Sequence, residues 1–217
     1  MSKSLNPLLK ELYDELLNEV VWLNARWRQY EELFETSPSN IGVLNEAAGL
    51  FFRIIQEELW NATLLQLSRL TDRSETMRKD NLSLQALSSL IEDTEFKEEI
   101  TSLVEEAVKA TTFARDWRNR KLAHTDLKLA LNQKAKPLAT ANRKKVTDAI
   151  KAVSIIIQRL SKYYFEPVLY PFLKNPFGEA DSLLYVVRGG LKADEERRVR
   201  IEEGKHSPED IIGPNPI

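Results

Sequence analysis

The sequence predicts an all-α fold, an up-and-down antiparallel bundle of four to five long helices. Three observations lead there. Apolar residues recur at intervals of three and four through long stretches, while the strict alternation of a half-buried strand is nearly absent. Only seven glycines occur in 217 residues, and the nine prolines gather at helix starts, connections and the C-terminus. Apolar residues make up 42% and charged residues 29%, a composition that fills a core and is too apolar for a disordered chain.

The elements follow in order. Asn6 suits a helix cap with Pro7 at the first helical position, where a missing N–H costs nothing. Leu9, Leu12, Leu16, Leu23, Trp27, Tyr30 and Phe34 then give a heptad-like stripe for a first helix through Glu35. Thr36-Ser37-Pro38-Ser39-Asn40 breaks it. A second helix is predicted over 41–70, burying Leu44, Ala48, Phe51, Ile55, Leu59, Ala62 and Leu65, with Phe52 and Trp60 also assigned to packing. The polar stretch 71–80 reads as a connection, and a short helix follows from Asn81-Leu82-Ser83-Leu84 to about Glu92. Asp93 or Thr94 caps the next helix, with Phe96, Ile100, Val104, Val108 and Thr111 on its inner face. After a polar stretch through Ala139, the periodic set Val146, Ile150, Val153, Ile157, Leu160 and Tyr164 predicts a helix over 141–165. Pro167, Pro171 and Pro176 mark an extended connection. A last helix over 179–202 starts apolar and turns charged after Gly189-Gly190. The tail from Gly204 is expected to be loose. Residues 1–175 are thus expected as the bundle, with 176–217 a C-terminal helix and loose tail appended to the same domain.

The chain has no cysteine, which excludes disulfides, thiolate metal sites and a cysteine nucleophile. That suits a reducing cytoplasm. The N-terminal residues lack the layout of a signal peptide, and no apolar run approaches the roughly 20 residues of a membrane span. A cytoplasmic protein with no membrane partner is expected. No phosphate loop, dinucleotide glycine pattern or nucleophile elbow occurs. Glu203 and His206 have carboxylate–histidine spacing but stand alone in a polar tail, so neither a metal nor a cofactor is expected.

Net charge is −2, yet residues 115–145 carry ten lysines and arginines against Asp116 and Asp126. That segment is +8 and the remainder −10, a distribution suited to a local anionic ligand, though a solvated lysine-rich loop has the same look. Within it Arg118, Asn119 and His124 form a compact phosphate-handling set. The guanidinium fork matches phosphoryl oxygens, the amide orients one of them, and the imidazole exchanges a proton near neutral pH. Together they are equipped to drive attack of a ribose 2′-hydroxyl on the adjacent phosphate. Arg115, Arg120, Lys121 and Lys128 surround the set as strand contacts. At 100° per residue, positions 118 and 124 stand about 120° apart on an ideal helix, so the helix must end or bend between them, or a second copy must complete the cleft. The plainer reading of His124 is a C-terminal helix cap, worth about 0.3–1 kcal/mol.

Arg118-Asn119-Arg120-Lys121-Leu122-Ala123-His124 resembles the signature of the HEPN superfamily: arginine, a polar residue, then histidine after a short gap. The long helices before it, Leu67-Ser68-Arg69-Leu70-Thr71-Asp72 followed by Asn81-Leu82-Ser83-Leu84, and the phrase ending at Asp126 resemble the AbiU-type abortive-infection branch, over roughly residues 10–170. The resemblance implies an all-α bundle that forms a homodimer with two motifs facing one cleft. It also implies a metal-independent endoribonuclease of an abortive-infection or toxin–antitoxin defence system, with Arg118 and His124 as the catalytic pair and Asn119 as their assistant. RNA is then the substrate, and an antitoxin or a nucleotidyltransferase the protein partner. The tyrosine that such a transferase modifies in relatives is replaced here by Asp126. Other members keep the fold and only bind RNA or a protein.

Overall fold

A computed structural model of the protein describes residues 6–35, 37–76, 79–123, 125–164 and 179–212, and the chain is all-α. In order come α1 (Pro7–Phe34), α2 (Pro38–Leu70), a two-stranded hairpin (Glu75–Thr76 and Lys79–Asp80) and a 3₁₀ helix (Leu84–Leu90). Then follow α3 (Thr94–Ala110), α4 (Thr112–Trp117), a π turn (Arg118–Leu122), α5 (Leu127–Ala130), α6 (Arg143–Tyr164), α7 (Ala180–Glu202) and α8 (Pro208–Ile212). Among the described residues no helix is long and apolar enough to cross a membrane. The proline-rich connection at Pro167, Pro171 and Pro176 lies outside the described residues.

Local chemistry sets the helix starts. Asn6 accepts from the Leu8 N–H (2.9 Å), Asp93 from Phe96 (2.8 Å) and Asn142 from Lys145 (3.0 Å), each satisfying one orphan donor of a first turn. Ser37 does the same for Ser39 (3.1 Å), so α2 begins at Pro38, ahead of the expected residue 41. Ser83 caps the 3₁₀ helix through Gln85 N (3.2 Å).

The chain divides into two compact units. The first comprises Met1–Arg28 and Glu58–Leu173. Within it Trp27 and Trp60 meet at 5.9 Å while Glu19 and Gln66 join by hydrogen bonds of 2.8 and 2.9 Å, so α1 and α2 run antiparallel. Asn24 to Ser154 and Trp27 to Thr147 (both 3.0 Å) set α6 antiparallel to α1. Phe96 stacks on Tyr163 at 3.6 Å and Arg159 grips Glu99 at 2.5 and 2.8 Å, which sets α3 antiparallel to α6. The core of this unit is aliphatic: Leu16, Leu23, Leu64, Leu67, Ile100, Val153, Ile156 and Ile157 are all buried. The four long helices of this unit therefore alternate in direction, each turning an apolar face to its neighbours.

One predicted face is displaced. Phe51 and Leu65 are exposed, at 56% and 37%, whereas Phe52, Leu64, Leu67 and Leu70 are buried. Ala48 leaves helical geometry (φ −164°, ψ 65°) inside α2. A break of that kind interrupts the helical phase, so the spacing read from the first part of α2 does not carry over to the residues beyond it.

The second unit comprises Gln29–Glu57 and Lys174–Ile217. Ala180 N at the start of α7 donates to Gln29 (2.8 Å), and Arg188 donates to Asn40 (2.5 Å), which reaches back to the Glu32 carbonyl (3.2 Å). Of the tail after Gly204, expected to be loose, residues Pro208–Ile212 instead form α8. Asp210 accepts from Arg200 (2.5 Å) and from the Ser207 N–H (2.9 Å), and Arg197 donates to its carbonyl (3.1 Å). The Arg200 guanidinium first, and the Ser207 N–H second, hold the Asp210 carboxyl far below its usual range. A depressed carboxyl pKa stabilises the folded form above the unfolded value near 4, and that contribution fades as pH falls below it. Amide protection factors across 207–212, referred to the intrinsic exchange rate at each pH, should therefore fall below about pH 4. Asp210→Asn should show the low protection already at pH 7.

Candidate functional site

The basic motif starts where α3 gives way to α4. Thr111 breaks the helix (φ −95°, ψ 4°), and its hydroxyl lies within bonding distance of the Ala107 and Val108 carbonyls (2.9 and 3.2 Å). It also meets the Thr71 hydroxyl at 2.7 Å, and both threonines are fully buried. This junction ties the end of α2 to the start of α4. From α4, Arg115 donates to the Thr71 carbonyl (2.8 Å), placing a cation where the orphan carbonyls of α2 collect.

Asp72 is the hub of the site. Its Oδ1 accepts from Arg115 Nε (3.3 Å), and its Oδ2 accepts from the Arg118 guanidinium. Arg118 Nε in turn donates to Asn119 Oδ1 (3.0 Å). All three charged side chains are about one-quarter exposed, between 23% and 27%. Two guanidinium groups on one carboxylate leave a net positive charge that stays reachable from solvent. Asp72, Arg115 and Arg118 line an open cavity of about 610 Å³ together with Arg73, Asn81 and Gln85.

At Arg118 the helix changes period. Ala123 N bonds the Arg118 carbonyl (2.9 Å), an i to i+5 closure that sets residues 118 and 123 one turn apart, and the helical run ends at Leu122. The spacing argument called for such an end between positions 118 and 124. His124 itself lies outside the described residues.

Arg120 was expected as a strand contact. Its guanidinium is instead turned inward, donating to the carbonyls of Pro137 (3.2 Å) and Lys136, with Asp116 and Asp126 at 3.6 and 3.7 Å. The reason is geometric: the polar stretch after α5 folds back across this turn. Trp117 Nε1 donates to the Ala139 carbonyl (2.8 Å) and Asp116 accepts from Ala139 N (2.7 Å), so the same strap is held from Lys136 to Ala139. Trp117→Phe removes one of these bonds and should cost about 0.5–1.5 kcal/mol, read as a lower urea midpoint with an unchanged slope.

The remaining cations face outward. Lys121 is exposed and sits over the Trp117 ring at 4.8 Å. Lys128 is exposed on α5, a turn capped by Asp126, which accepts from the Lys128 and Leu129 N–H groups at 2.9 and 3.2 Å. Asp126 therefore has a structural task at the position where some relatives carry a modified tyrosine.

Sequence reasoning did not single out Asp72, Arg73 or Gln85. Asp72 lay in the stretch quoted for the AbiU likeness, but nothing local marks a carboxylate 46 positions before Arg118 as its counter-ion. Among the described residues no group of three or more His, Asp or Glu gathers as a metal site, and Glu203 pairs with Lys205 (2.9 Å).

No curated protein and no solved structure matches the chain. A family model does: AbiU2, one of the HEPN families, matches residues 8–173. The matched span runs from the first turn of α1 past the end of α6, taking in Asp72, the π turn and the basic strap, and the chain accordingly belongs to the AbiU2 family of HEPN proteins.

Proposed function

We propose that the protein is a metal-independent endoribonuclease of an abortive-infection or toxin–antitoxin defence system, acting in the cytoplasm as a homodimer with two motifs at one cleft. The observation that carries this reading is the Arg115–Asp72–Arg118 cluster. It holds the Arg118 guanidinium, a fork of the shape a phosphate takes, at a solvent-open cavity, on the turn that leads directly to position 124.

In the proposed reaction the 2′-oxygen forms a bond to phosphorus as the bond to the 5′-oxygen breaks. His124 accepts the 2′-hydroxyl proton and returns a proton to the departing 5′-oxygen. Arg118 donates to the non-bridging oxygens, where negative charge gathers, and Asn119 orients the fork through the Arg118 Nε contact. Arg115, Lys121 and Lys128 hold the strand, while Arg120 braces the strap that frames it. The partner that restrains this activity is an antitoxin; with Asp126 in the tyrosine position, nucleotidyl transfer onto that residue is not part of the proposal.

The chemistry specifies its products: a 2′,3′-cyclic phosphate and a 5′-hydroxyl. Purified protein incubated with single-stranded RNA and excess EDTA should yield those ends. Absence of cleavage, cleavage abolished by EDTA, or 3′-hydroxyl products would each overturn the assignment.

A second reading has one observation in its favour. Arg118 already has a carboxylate partner in Asp72, as it would in a non-catalytic HEPN module that binds RNA or a protein. RNA binding without strand scission would select it.

A further inference from the structure

We infer that the cavity beside Arg118 is a binding subsite for the RNA phosphate adjoining the scissile one, with Arg73 and Arg115 as its ligands. The inference deepens the ribonuclease reading and rests on it for the identity of the ligand, but its test reads binding without cleavage.

The charge inventory is the first ground. Arg73, Arg115 and Arg118 line the cavity against a single carboxylate, Asp72, leaving two positive charges in excess. Arg115 and Arg118 share that carboxylate. Arg73 is exposed, and its guanidinium has no ion-pair or hydrogen-bond partner among the described residues. An unpaired arginine on the wall of a cavity that already holds an excess of cations is poorly placed for stability and well placed for an anion.

Size and wall chemistry are the second ground. At about 610 Å³ the space lies within the roughly 300–1,000 Å³ of small-ligand pockets, larger than a bare anion requires and suited to a nucleotide. Asn81 and Gln85 bring amide groups to the wall. Gln85 is tied by one donor to the Thr71 carbonyl (2.8 Å), which fixes the side chain while leaving its carbonyl oxygen without a hydrogen-bond partner among the described residues.

The third ground is how firmly the cavity is positioned. Arg73 follows Asp72 directly, and the Asn81 amide donates to the Arg73 carbonyl (2.9 Å), pinning the backbone on which Arg73 sits. Arg73, one residue after the counter-ion of Arg118 and on the wall of the same cavity, is placed to meet the next linkage of a strand whose scissile phosphate lies on Arg118. Phosphate contacts of this kind set register and carry salt dependence.

The probe is a 2′-O-methyl RNA oligonucleotide, which lacks the attacking hydroxyl and reports affinity alone. Full-length protein carrying Arg73→Ala should bind it roughly tenfold more weakly at moderate salt. The slope of log K against log salt should become shallower by about 0.7 for the one lost phosphate contact. Arg73→Lys should recover part of the affinity. Arg53→Ala, which removes an exposed arginine of the other unit that pairs along its own helix with Glu57 (3.5 Å), should leave affinity and slope unchanged. Thermal midpoints should not move for either alanine variant. Where natural RNA is cleaved, Arg73→Ala should raise KM and spare kcat. Wild-type affinity and slope in Arg73→Ala, or an equal loss in Arg53→Ala, would overturn the subsite. A protein that binds the probe through Arg73 but never cleaves RNA would keep the subsite and discard the nuclease; one that cleaves with Arg73 indifferent would do the reverse.

Discussion

Arg118→Ala should lower the rate of RNA cleavage by about 10²–10³-fold, the usual cost of removing one donor from a developing oxyanion. His124→Ala should lower it by about 10²–10⁴-fold, the range for loss of a general acid–base group. The two changes disable one proton-and-charge relay, so the double variant should be hardly slower than the worse single one. The stability readout separates chemistry from collapse. Removing Arg118 leaves Asp72 still paired with Arg115 at 3.3 Å, so no buried carboxylate is orphaned and the melting temperature should change little. Arg118→Lys keeps a charge and loses the planar fork, and activity between the wild type and the alanine variant is expected. Cleavage assayed in EDTA under single-turnover conditions, with melting curves on the same preparations, checks all of these. Unaltered rates in Arg118→Ala and His124→Ala together would remove the site from consideration.

Ile157→Ala should destabilise the protein by about 2–5 kcal/mol, the largest stability effect expected from one substitution. Ile157 is 1% exposed on α6, the helix gripped by α3 through the Phe96–Tyr163 stack and the Glu99–Arg159 pair. Three buried carbons are removed, at about 0.8 kcal/mol each, and the cavity left in a packed helical core adds to that loss. A loss of this size is a sizeable share of the roughly 5–15 kcal/mol that holds an ordinary domain together. Ile155, two positions earlier and 43% exposed, provides the control: Ile155→Ala should stay within about 0.5 kcal/mol of wild type. Urea titrations of both variants check the contrast. The ion pair between Glu99 and Arg159, each 38% exposed, contributes little beside the apolar contact, since water screens it.

Most of the helical architecture was legible. Val146, Ile150, Val153, Ile157 and Leu160 are buried as their spacing required, and the Asn6 and Asp93 caps stand where a donor-starved helix start needs them. Burial on a straight helix is a local property, repeated every 3.6 residues. The reading slipped where the helix is not straight: at and past the break at Ala48, Ala48, Phe51 and Leu65 are exposed where the spacing had them buried, while Phe52 packs as expected. The site was legible to a similar limit. Arg118 and Asn119 announced themselves as neighbours in the chain, and the need for the helix to end before position 124 followed from angle alone. That Arg120 would turn inward against Lys136 and Pro137 was not readable, because it depends on where a polar strap returns.

The sequence by itself determined the fold class, the helices and the short motif, because each is written in the spacing and chemistry of residues close along the chain. Only the tertiary structure decided that Asp72 would meet Arg115 and Arg118, that Arg73 would face the same cavity, and that Asp210 would fasten α8 to Arg200. Those meetings depend on how whole helices pack. Packing is selected by the summed burial of many apolar side chains, so it leaves no mark at the individual charged residues it brings together.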